Sequence, residues 1–428
     1  MEDRQPAQRP VRLALIGAGS MGRNYARLIG EHAANRTDRT AGVDRTNCAG
    51  SPLSITAVVS RHEETTRWVR ETLGDGVFVA PTADALYAAD ADATGAATGA
   101  ATGDAETTLF DAVLIVTPQE SHPALVEQAL RHGKHVLCDK PAGKSVKQCE
   151  PMLATARANA PDLVCAMIFQ QRMFARHRRI RELIRSGALG EIRRAQLVDS
   201  QYFRTVAYHH SRPWRSSWAH EGGGVLVSQG PHILDLWQWL FGMPSTVHAT
   251  IPFGKYNDFA VDDESTLVMT YPNRMTGTFI ITTGEGVGET RLDVQGTRGQ
   301  LVMEGDLLRI WRYDRDTADY RRETTCFNAS ELGVEYREET LPEPDGWAAY
   351  WALMENFAVA VRSQGQSRSR GRDQKDAVEP VATLESGIRS LEIADAAYLS
   401  AWEDRTVTLP LDADRFERAL QTHIAAEA

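Results

Sequence analysis

The sequence predicts two domains in succession, an α/β domain with a parallel sheet over residues 1–143 and an α+β domain with a mostly antiparallel sheet over 144–428. Three observations predict this. The apolar run Val11-Arg-Leu-Ala-Leu-Ile16 feeds directly into Gly17-Ala-Gly-Ser-Met-Gly22, and helical spacing follows at residues 25–29. The stretch from Asp111 to Pro141 reads as strand, helix, strand, and ends in Asp139-Lys140-Pro141. Beyond Lys144, strand patterns recur without intervening helices, as successive antiparallel strands do.

Taken in order, the first strand, turn and helix open a Rossmann dinucleotide-binding unit. A polar, irregular insertion near 31–53 delays the second strand to residues 54–59. Residues 65–73 predict a helix and 77–79 a short strand. An insertion near 90–108 contains a repeat of small residues, Ala93-Thr-Gly-Ala-Ala-Thr-Gly, which buries too little surface to order itself and is expected to be flexible. Strand 113–116, helix 123–132 and strand 135–138 continue the sheet. In the second domain, strands are expected at 192–202, 245–251, 265–271, 275–283, 290–295 and 300–303. A Ser/Arg/Gly-rich mobile loop near 363–375 then leads into a closing helix over 377–402.

Composition excludes several classes. A hydrophobic fraction of 42% and a charged fraction of 24% describe an ordinary soluble balance. The net charge of -10 argues against a nucleic-acid surface and fits a neutral or cationic substrate. The polar start and the absence of a long apolar run predict no membrane span and a cytoplasmic protein. Five cysteines without a Cys-x-x-Cys pair suit a reducing compartment and predict neither a disulfide framework nor a metal site. Cys138, at a strand end, reads as a buried structural residue.

The chemistry-bearing residues fall in four places. In the glycine turn, Gly17 permits the tight bend, Gly19 lets the backbone approach a pyrophosphate, and Gly22 lets helix and strand pack closely. Ser20 and Met21 open the helix whose N-terminus would hold the anion. After the second strand stands Ser60-Arg61-His62 where an acidic residue would bind the ribose of NAD; serine and arginine suit a 2′-phosphate and favour NADP over NAD, while Glu63 and Glu64 keep NAD open. Lys140 lies at the carboxyl edge of the sheet, where ligands of open α/β sheets bind. Finally, Gly222-Gly-Gly precedes a helix that begins near Pro231, and His232, Asp235 and Trp239 share one of its faces. A histidine at the positive end of a helix is biased toward the neutral base.

Two further stretches carry alternatives. The aromatic and basic loop 202–218 contains Tyr208, Trp214 and Trp218, which serve either as a sugar-stacking wall or as core anchors. Asp262-Asp263-Glu264 reads as a solvated turn, with recognition of a cationic sugar as the alternative.

The glycine fingerprint, Thr117-Pro118-x-x-x-His122, Gly133-Lys-His-Val-Leu-Cys-Asp-Lys-Pro141 and Gly222-Gly-Gly-x-x-x-x-x-Gly-x-His232-x-x-Asp235 together resemble the Gfo/Idh/MocA (glucose–fructose oxidoreductase/inositol dehydrogenase) family over nearly the whole chain. The resemblance implies a second domain for substrate binding and oligomerisation, in a homodimer or homotetramer. It implies an NAD(P)-dependent oxidoreductase acting on a secondary alcohol or ketone of a sugar, an aminosugar such as an aminoglycoside, or a cyclitol. Thr117, Pro118, His122, Asp139 and Lys140 would line the cofactor. Lys140 and His232 would be catalytic with Asp235 assisting, and Tyr208, Trp214 and Ser228 would join them at the substrate. Two departures stand out: Asp139 replaces the family's glutamate, and Ser228 stands where many members have an aspartate. The competing class is a non-catalytic, NAD(P)-sensing regulator of the same fold. An oxidoreductase for dihydrodiols or biliverdin-like substrates fits less well, because His232 and the glycine run match the sugar and cyclitol branch.

Overall fold

The computed structural model describes residues 9–37, 51–95, 108–159, 162–343, 346–370 and 378–427. The first half runs β1 (Val11–Ile16), α1 (Ser20–Thr37), β2 (Leu53–Val59), α2 (Glu63–Leu73), β3 (Phe78–Ala80), α3 (Ala83–Ala93), β4 (Ala112–Ile115), α4 (His122–Arg131), β5 (His135–Cys138), α5 (Val146–Asn159) and β6 (Cys165–Met167). There follow α6 (Ala175–Arg185), β7 (Ile192–Asp199), α7 (Val206–His209), α8 (Val225–Ser228), α9 (Pro231–Phe241), β8 (Thr246–Thr250), β9 (Glu264–Thr270), β10 (Thr276–Thr282), β11 (Thr290–Gly296), β12 (Gly299–Glu304) and β13 (Leu307–Tyr313). The chain closes with α10 (Thr317–Glu323), β14 (Val334–Thr340), α11 (Gly346–Arg370), α12 (Leu384–Glu403), β15 (Val407–Thr408) and α13 (Ala413–Glu427).

Two compact units result. The first comprises Met1–Gly143, Cys149–Gln170 and Trp347–Glu385. The second comprises Lys144–Gln148, Gln171–Gly346 and Ser386–Ala428. A single boundary after residue 143 is therefore corrected, because the chain returns to the first unit twice. β6 adds a parallel strand beside β5, and α11 lays Trp347 and Tyr350 against Tyr25 of α1, at ring distances of 6.3 and 5.6 Å.

The first unit holds a six-stranded sheet of order β3-β2-β1-β4-β5-β6 whose pairs are all parallel. Every residue of β4 is buried, as a strand covered on both faces requires. The order reverses between β1 and β4, which places the ligand-binding crevice at their carboxyl ends.

The second unit is built on a sheet of order β14-β13-β12-β11-β7-β10-β9-β8-β15, antiparallel except for the pair β7–β10. The six expected strands are present with small shifts at their ends, and the sheet adds three more, β13, β14 and the two-residue β15. α9 packs on this sheet through Trp237, whose ring meets Phe279 edge-on and lies where a side chain on Gly277 would intrude. Its indole N–H donates to Tyr271 Oη at 2.8 Å.

Other boundaries also differ. The expected mobile loop near 363–375 is helical as far as Arg370, as the end of α11; residues 371–377 lie outside the described residues. The closing helix is α12, and a further helix, α13, follows it. Most of the two first-domain insertions also lies outside the described residues. No described helix is long and apolar enough to cross a membrane.

Asp199, at the end of β7, makes a pH prediction. Burial lifts its carboxyl to about 6, against hydrogen bonds from Thr290 at 2.7 Å and Gln201 at 3.0 Å that favour the ionised form. Since the folded-state value lies above the ordinary 3.8, folding takes up a proton. The contribution is present in full below the unfolded value and is lost as pH rises through about 6. Asp199→Asn is expected to flatten this dependence, by roughly 3 kcal/mol at most. Urea unfolding at the two ends of that window reads it, and a variant with the wild-type slope would refute the assignment.

Candidate functional site

The crevice of the first unit begins with the turn between β1 and α1. Gly17 adopts φ +105°, and a Cβ there would lie 2.4 Å from the carbonyl oxygen of Val116 behind β4. A Cβ on Gly22 would lie 2.0 Å from the Gly17 carbonyl oxygen, so this glycine is what lets α1 begin so close to the strand. Gly19 is different: a Cβ there would meet nothing within 4 Å among the described residues. The opening turn of α1, with Ser20 exposed and Met21 half-buried, contains no acidic residue. Open space over Gly19 and an uncompensated helix N-terminus fit a dinucleotide pyrophosphate.

The difference between these glycines is testable. Gly22→Ala should lower the melting temperature, since backbone must move. Gly19→Ala should leave stability within about 0.5 kcal/mol while weakening cofactor binding roughly tenfold or more. Fluorescence titration with the reduced cofactor separates the two, and unchanged binding by the Gly19 variant would remove the turn from the cofactor site.

Across the crevice, Thr117 shares a 2.6 Å hydrogen bond with Ser121, and the Pro118 carbonyl accepts from the Ser121 amide at 3.0 Å. His122 opens α4 and is only 1% exposed. Its Nδ1 lies 2.7 Å from the carbonyl oxygen of Pro141 and its Nε2 2.8 Å from that of Thr117. Both neighbours are acceptors, so a neutral ring donates to one and only the imidazolium donates to both. Burial pulls its pKa down, while the two carbonyls and Asp139 pull it up. Through these two contacts the imidazole ties the loop after β4 to the loop after β5.

That second loop carries Lys140, which is half-buried. Its amide donates to Asp139 Oδ1 at 2.8 Å, and Tyr25 Oη stands 3.5 Å from Asp139 Oδ2. Burial raises the Asp139 pKa, and the positive charge of Lys140 opposes it. Cys138 beside it is fully buried, and burial pushes its thiol well up, which suits a structural residue.

A cleft of about 550 Å³ lies beyond β2 and β3, lined in part by Ser60, Arg61, Thr66 and Arg70, with Glu63 and Asp75 also on its wall. Arg61 is exposed, and Ser60 Oγ accepts from the His62 amide at 3.1 Å.

In the second unit, α9 carries the other expected site residues. Ile233, Leu236, Trp237 and Leu240 are buried as predicted, while His232 and Trp239 are half-buried. Asp235 is 1% exposed and receives a bidentate pair from Arg172, Nε at 2.7 Å and Nη2 at 2.6 Å, with Gln238 adding a third donor at 3.0 Å. Asp235 thus accepts from Arg172 and Gln238, and any assistance to His232 would act from an aspartate held in this pair. Ser228 Oγ lies 2.7 Å from the Gly224 carbonyl oxygen and 2.6 Å from Gln229 Oε1, two acceptors between which its single hydroxyl hydrogen is shared.

The glycine run packs against protein. A Cβ on Gly223 would sit 2.3 Å from Tyr398 Oη, and one on Gly224 would sit 1.8 Å from the Asp262 carbonyl oxygen. Asp262 accepts from the Gly224 and Leu226 amides at 2.7 and 3.0 Å and from Tyr398 Oη at 2.6 Å. Asp263 accepts from the Tyr256 and Asn257 amides at 2.8 and 3.0 Å. Both aspartates are buried, which removes the solvated turn. Trp218, 1% exposed, is a core anchor against Tyr398 and Trp402, whereas Trp214 is half-buried and carries Arg215 at 4.8 Å.

Sequence reasoning missed Arg172, Tyr25, Asp262 as a structural acceptor, and Arg204 and Arg215. Only the last two left a local signal, a basic loop free of acidic residues.

Comparison with known proteins agrees with this architecture. The pattern of the oxidoreductase family with an NAD-binding Rossmann fold matches residues 11–165, and that of the GFO/IDH/MocA C-terminal domain matches 177–302. The chain belongs to the Gfo/Idh/MocA oxidoreductase family. Among its relatives, the uncharacterized oxidoreductase YdgJ of Escherichia coli K12 is 27% identical over 65% of this chain and 78% of its own length. Trans-1,2-dihydrobenzene-1,2-diol dehydrogenase of Bos taurus is 28% identical over 44% of this chain; the match spans 53% of that enzyme, about half its length. The WlbA dehydrogenase of Bordetella pertussis, solved with NADH and UDP-GlcNAcA, shares the fold at a TM-score of 0.66 and 18% identity, over 94% of this chain and 100% of that one. Levoglucosan dehydrogenase, solved with NADH, has a TM-score of 0.66 at 17% identity over the same shares. This chain thus carries the NAD-binding Rossmann domain and the C-terminal domain of the Gfo/Idh/MocA oxidoreductase family.

Proposed function

We propose that this family member oxidises or reduces a ring secondary alcohol of a sugar, aminosugar or cyclitol, or the corresponding ketone, with NADP preferred over NAD. The observation that carries the reading is Lys140: a cation on a loop fixed by the Asp139 and His122 contacts, at the carboxyl edge of β5 in the sheet that carries the glycine turn. The nicotinamide supplies the two-electron acceptor or donor. Lys140 Nζ hydrogen-bonds the reacting oxygen and stabilises the negative charge that develops there, and His232 exchanges the proton. A dihydrodiol is the second reading, favoured by the Bos taurus relative; it shares with sugars and cyclitols a ring carbinol beside another hydroxyl.

The NADP preference rests on Arg61 and Arg70 in the cleft beyond β2. Arg61→Ala is expected to lower the NADPH-to-NADH ratio of kcat/KM roughly tenfold, since one charge-assisted contact to a phosphate is lost. Steady-state assays against sugars, inositols and dihydrodiols with each cofactor read this ratio. A ratio indifferent to Arg61 would overturn the preference, and a cofactor that binds but never changes redox state would point to a sensor.

A further inference from the structure

The loop 202–217 contains three arginines, two histidines and no acidic residue, in a chain whose net charge is -10. Its geometry is built. The Arg204 amide donates to the Thr283 carbonyl at 2.9 Å just beyond β10, and Thr205 caps α7 by accepting from the Tyr208 amide at 3.3 Å. The Arg204 and Arg215 guanidinium carbons lie 4.5 and 4.2 Å from the ring centre of Tyr208. The Tyr208 hydroxyl accepts from Arg215 and, at 3.0 Å, from Gln229 Nε2. Gln229 in turn holds Ser228 and precedes His232 by three residues, so the cluster abuts the first turn of α9.

Both arginines keep a donor unused. Nε of Arg204 and Nε of Arg215 are buried, and neither has a hydrogen-bond partner among the described residues. The same unit holds a contrasting arginine: Arg172, whose role is structural, places Nε and Nη2 on Asp235. The nearby carboxylate of Asp263 acts on His209, raising its pKa against the burial that lowers it; Asp263 Oδ2 is taken by the Tyr256 and Asn257 amides, while its Oδ1 is buried and, like the two arginine Nε atoms, has no hydrogen-bond partner among the described residues. A buried charged donor without an acceptor is costly, and the planar fork of arginine matches a carboxylate or phosphate.

We infer that Arg204 and Arg215, stacked on Tyr208, form a recognition site for an anionic group of the substrate, so that the preferred sugar or cyclitol carries a carboxylate or a phosphate. This rests on the dehydrogenase reading above and reverses the neutral or cationic substrate that net charge suggested. The overall charge is spread over the whole surface, whereas the substrate meets only the local field.

The test pairs charged and neutral ligands, with NADPH or NADP saturating: D-glucuronate and D-glucose 6-phosphate against D-glucose, and inositol 1-phosphate against myo-inositol. Calorimetric binding accompanies turnover. The wild type is expected to prefer one anionic class by at least tenfold in kcat/KM, and the carboxylate and phosphate arms identify which. In the double variant Arg204→Gln/Arg215→Gln that preference should fall at least tenfold, with the KM for the cofactor changed less than twofold. Arg215→Lys, which keeps the charge and loses the fork, should fall between, and its melting temperature checks the fold. Equal or better use of neutral ligands by the wild type, or a preference unmoved in the arginine variants, overturns the inference and leaves the dehydrogenase reading standing. Arginine-dependent binding of the anions without turnover supports the anion site and overturns the dehydrogenase reading. A chain that neither binds nor turns over any of the five ligands overturns both.

Discussion

Lys140→Met is expected to lower kcat/KM by roughly 10²–10³-fold or more, the range seen when a donor to a developing oxyanion is removed. Methionine keeps an unbranched apolar stem, one heavy atom shorter, and removes the ammonium group with its charge and three donors. The loop itself should persist, because it is held by groups the substitution leaves in place: the residue-140 amide on Asp139 and His122 on the Pro141 carbonyl. The glycine turn and the cleft by β2 lie apart from residue 140 along the same sheet edge, so cofactor affinity should change less than about twofold. Pre-steady-state turnover and fluorescence titration on the same sample separate these quantities. Near-normal turnover in the variant would remove Lys140 from the chemistry, and equal losses in binding and turnover would make it a cofactor ligand instead.

Arg172→Met should destabilise the second unit by roughly 3–5 kcal/mol, as expected when one partner of a buried ion pair is removed and the other charge is left uncompensated. Asp235 is 1% exposed, so its carboxylate has little access to water once the guanidinium is gone. Replacing both residues by apolar ones of similar volume, Arg172→Met with Asp235→Leu, should recover part of the loss. Urea midpoints with an unchanged m-value read both effects. The same variants decide what Asp235 does. If it only holds α9, activity per folded molecule in Asp235→Asn should follow stability, with the pH–rate profile keeping its shape. A stable Asp235→Asn protein with a displaced profile would assign this residue to proton transfer.

Local chemistry was legible in the sequence wherever a few neighbouring residues fix the geometry. Gly17 and Gly22 each leave no room for a Cβ, and Gly19 leaves room that the protein does not fill, a distinction already implied by a strand running into a glycine turn and a helix. The apolar stripe of α9 and six of the strands followed from periodicity. β14 escaped because it is exposed along nearly its whole length and pairs with β13 alone, so no apolar alternation marks it. The Ser/Arg-rich end of α11 has the composition of a loop, yet serine and arginine extend a helix already formed at little cost.

The sequence by itself determined the family, the glycine turn and the lysine at the strand end, since each is written in residues adjacent along the chain. Only the tertiary structure decided which polar groups are consumed by the fold. His122 is tied to two loop carbonyls, Asp235 to Arg172 and Asp262 to the glycine run, while Arg204 and Arg215 keep buried Nε donors without partners among the described residues. The physical reason is range. A turn is fixed by sterics between neighbours, but whether a buried polar group is satisfied depends on residues distant in sequence, 63 positions away for Arg172 and Asp235.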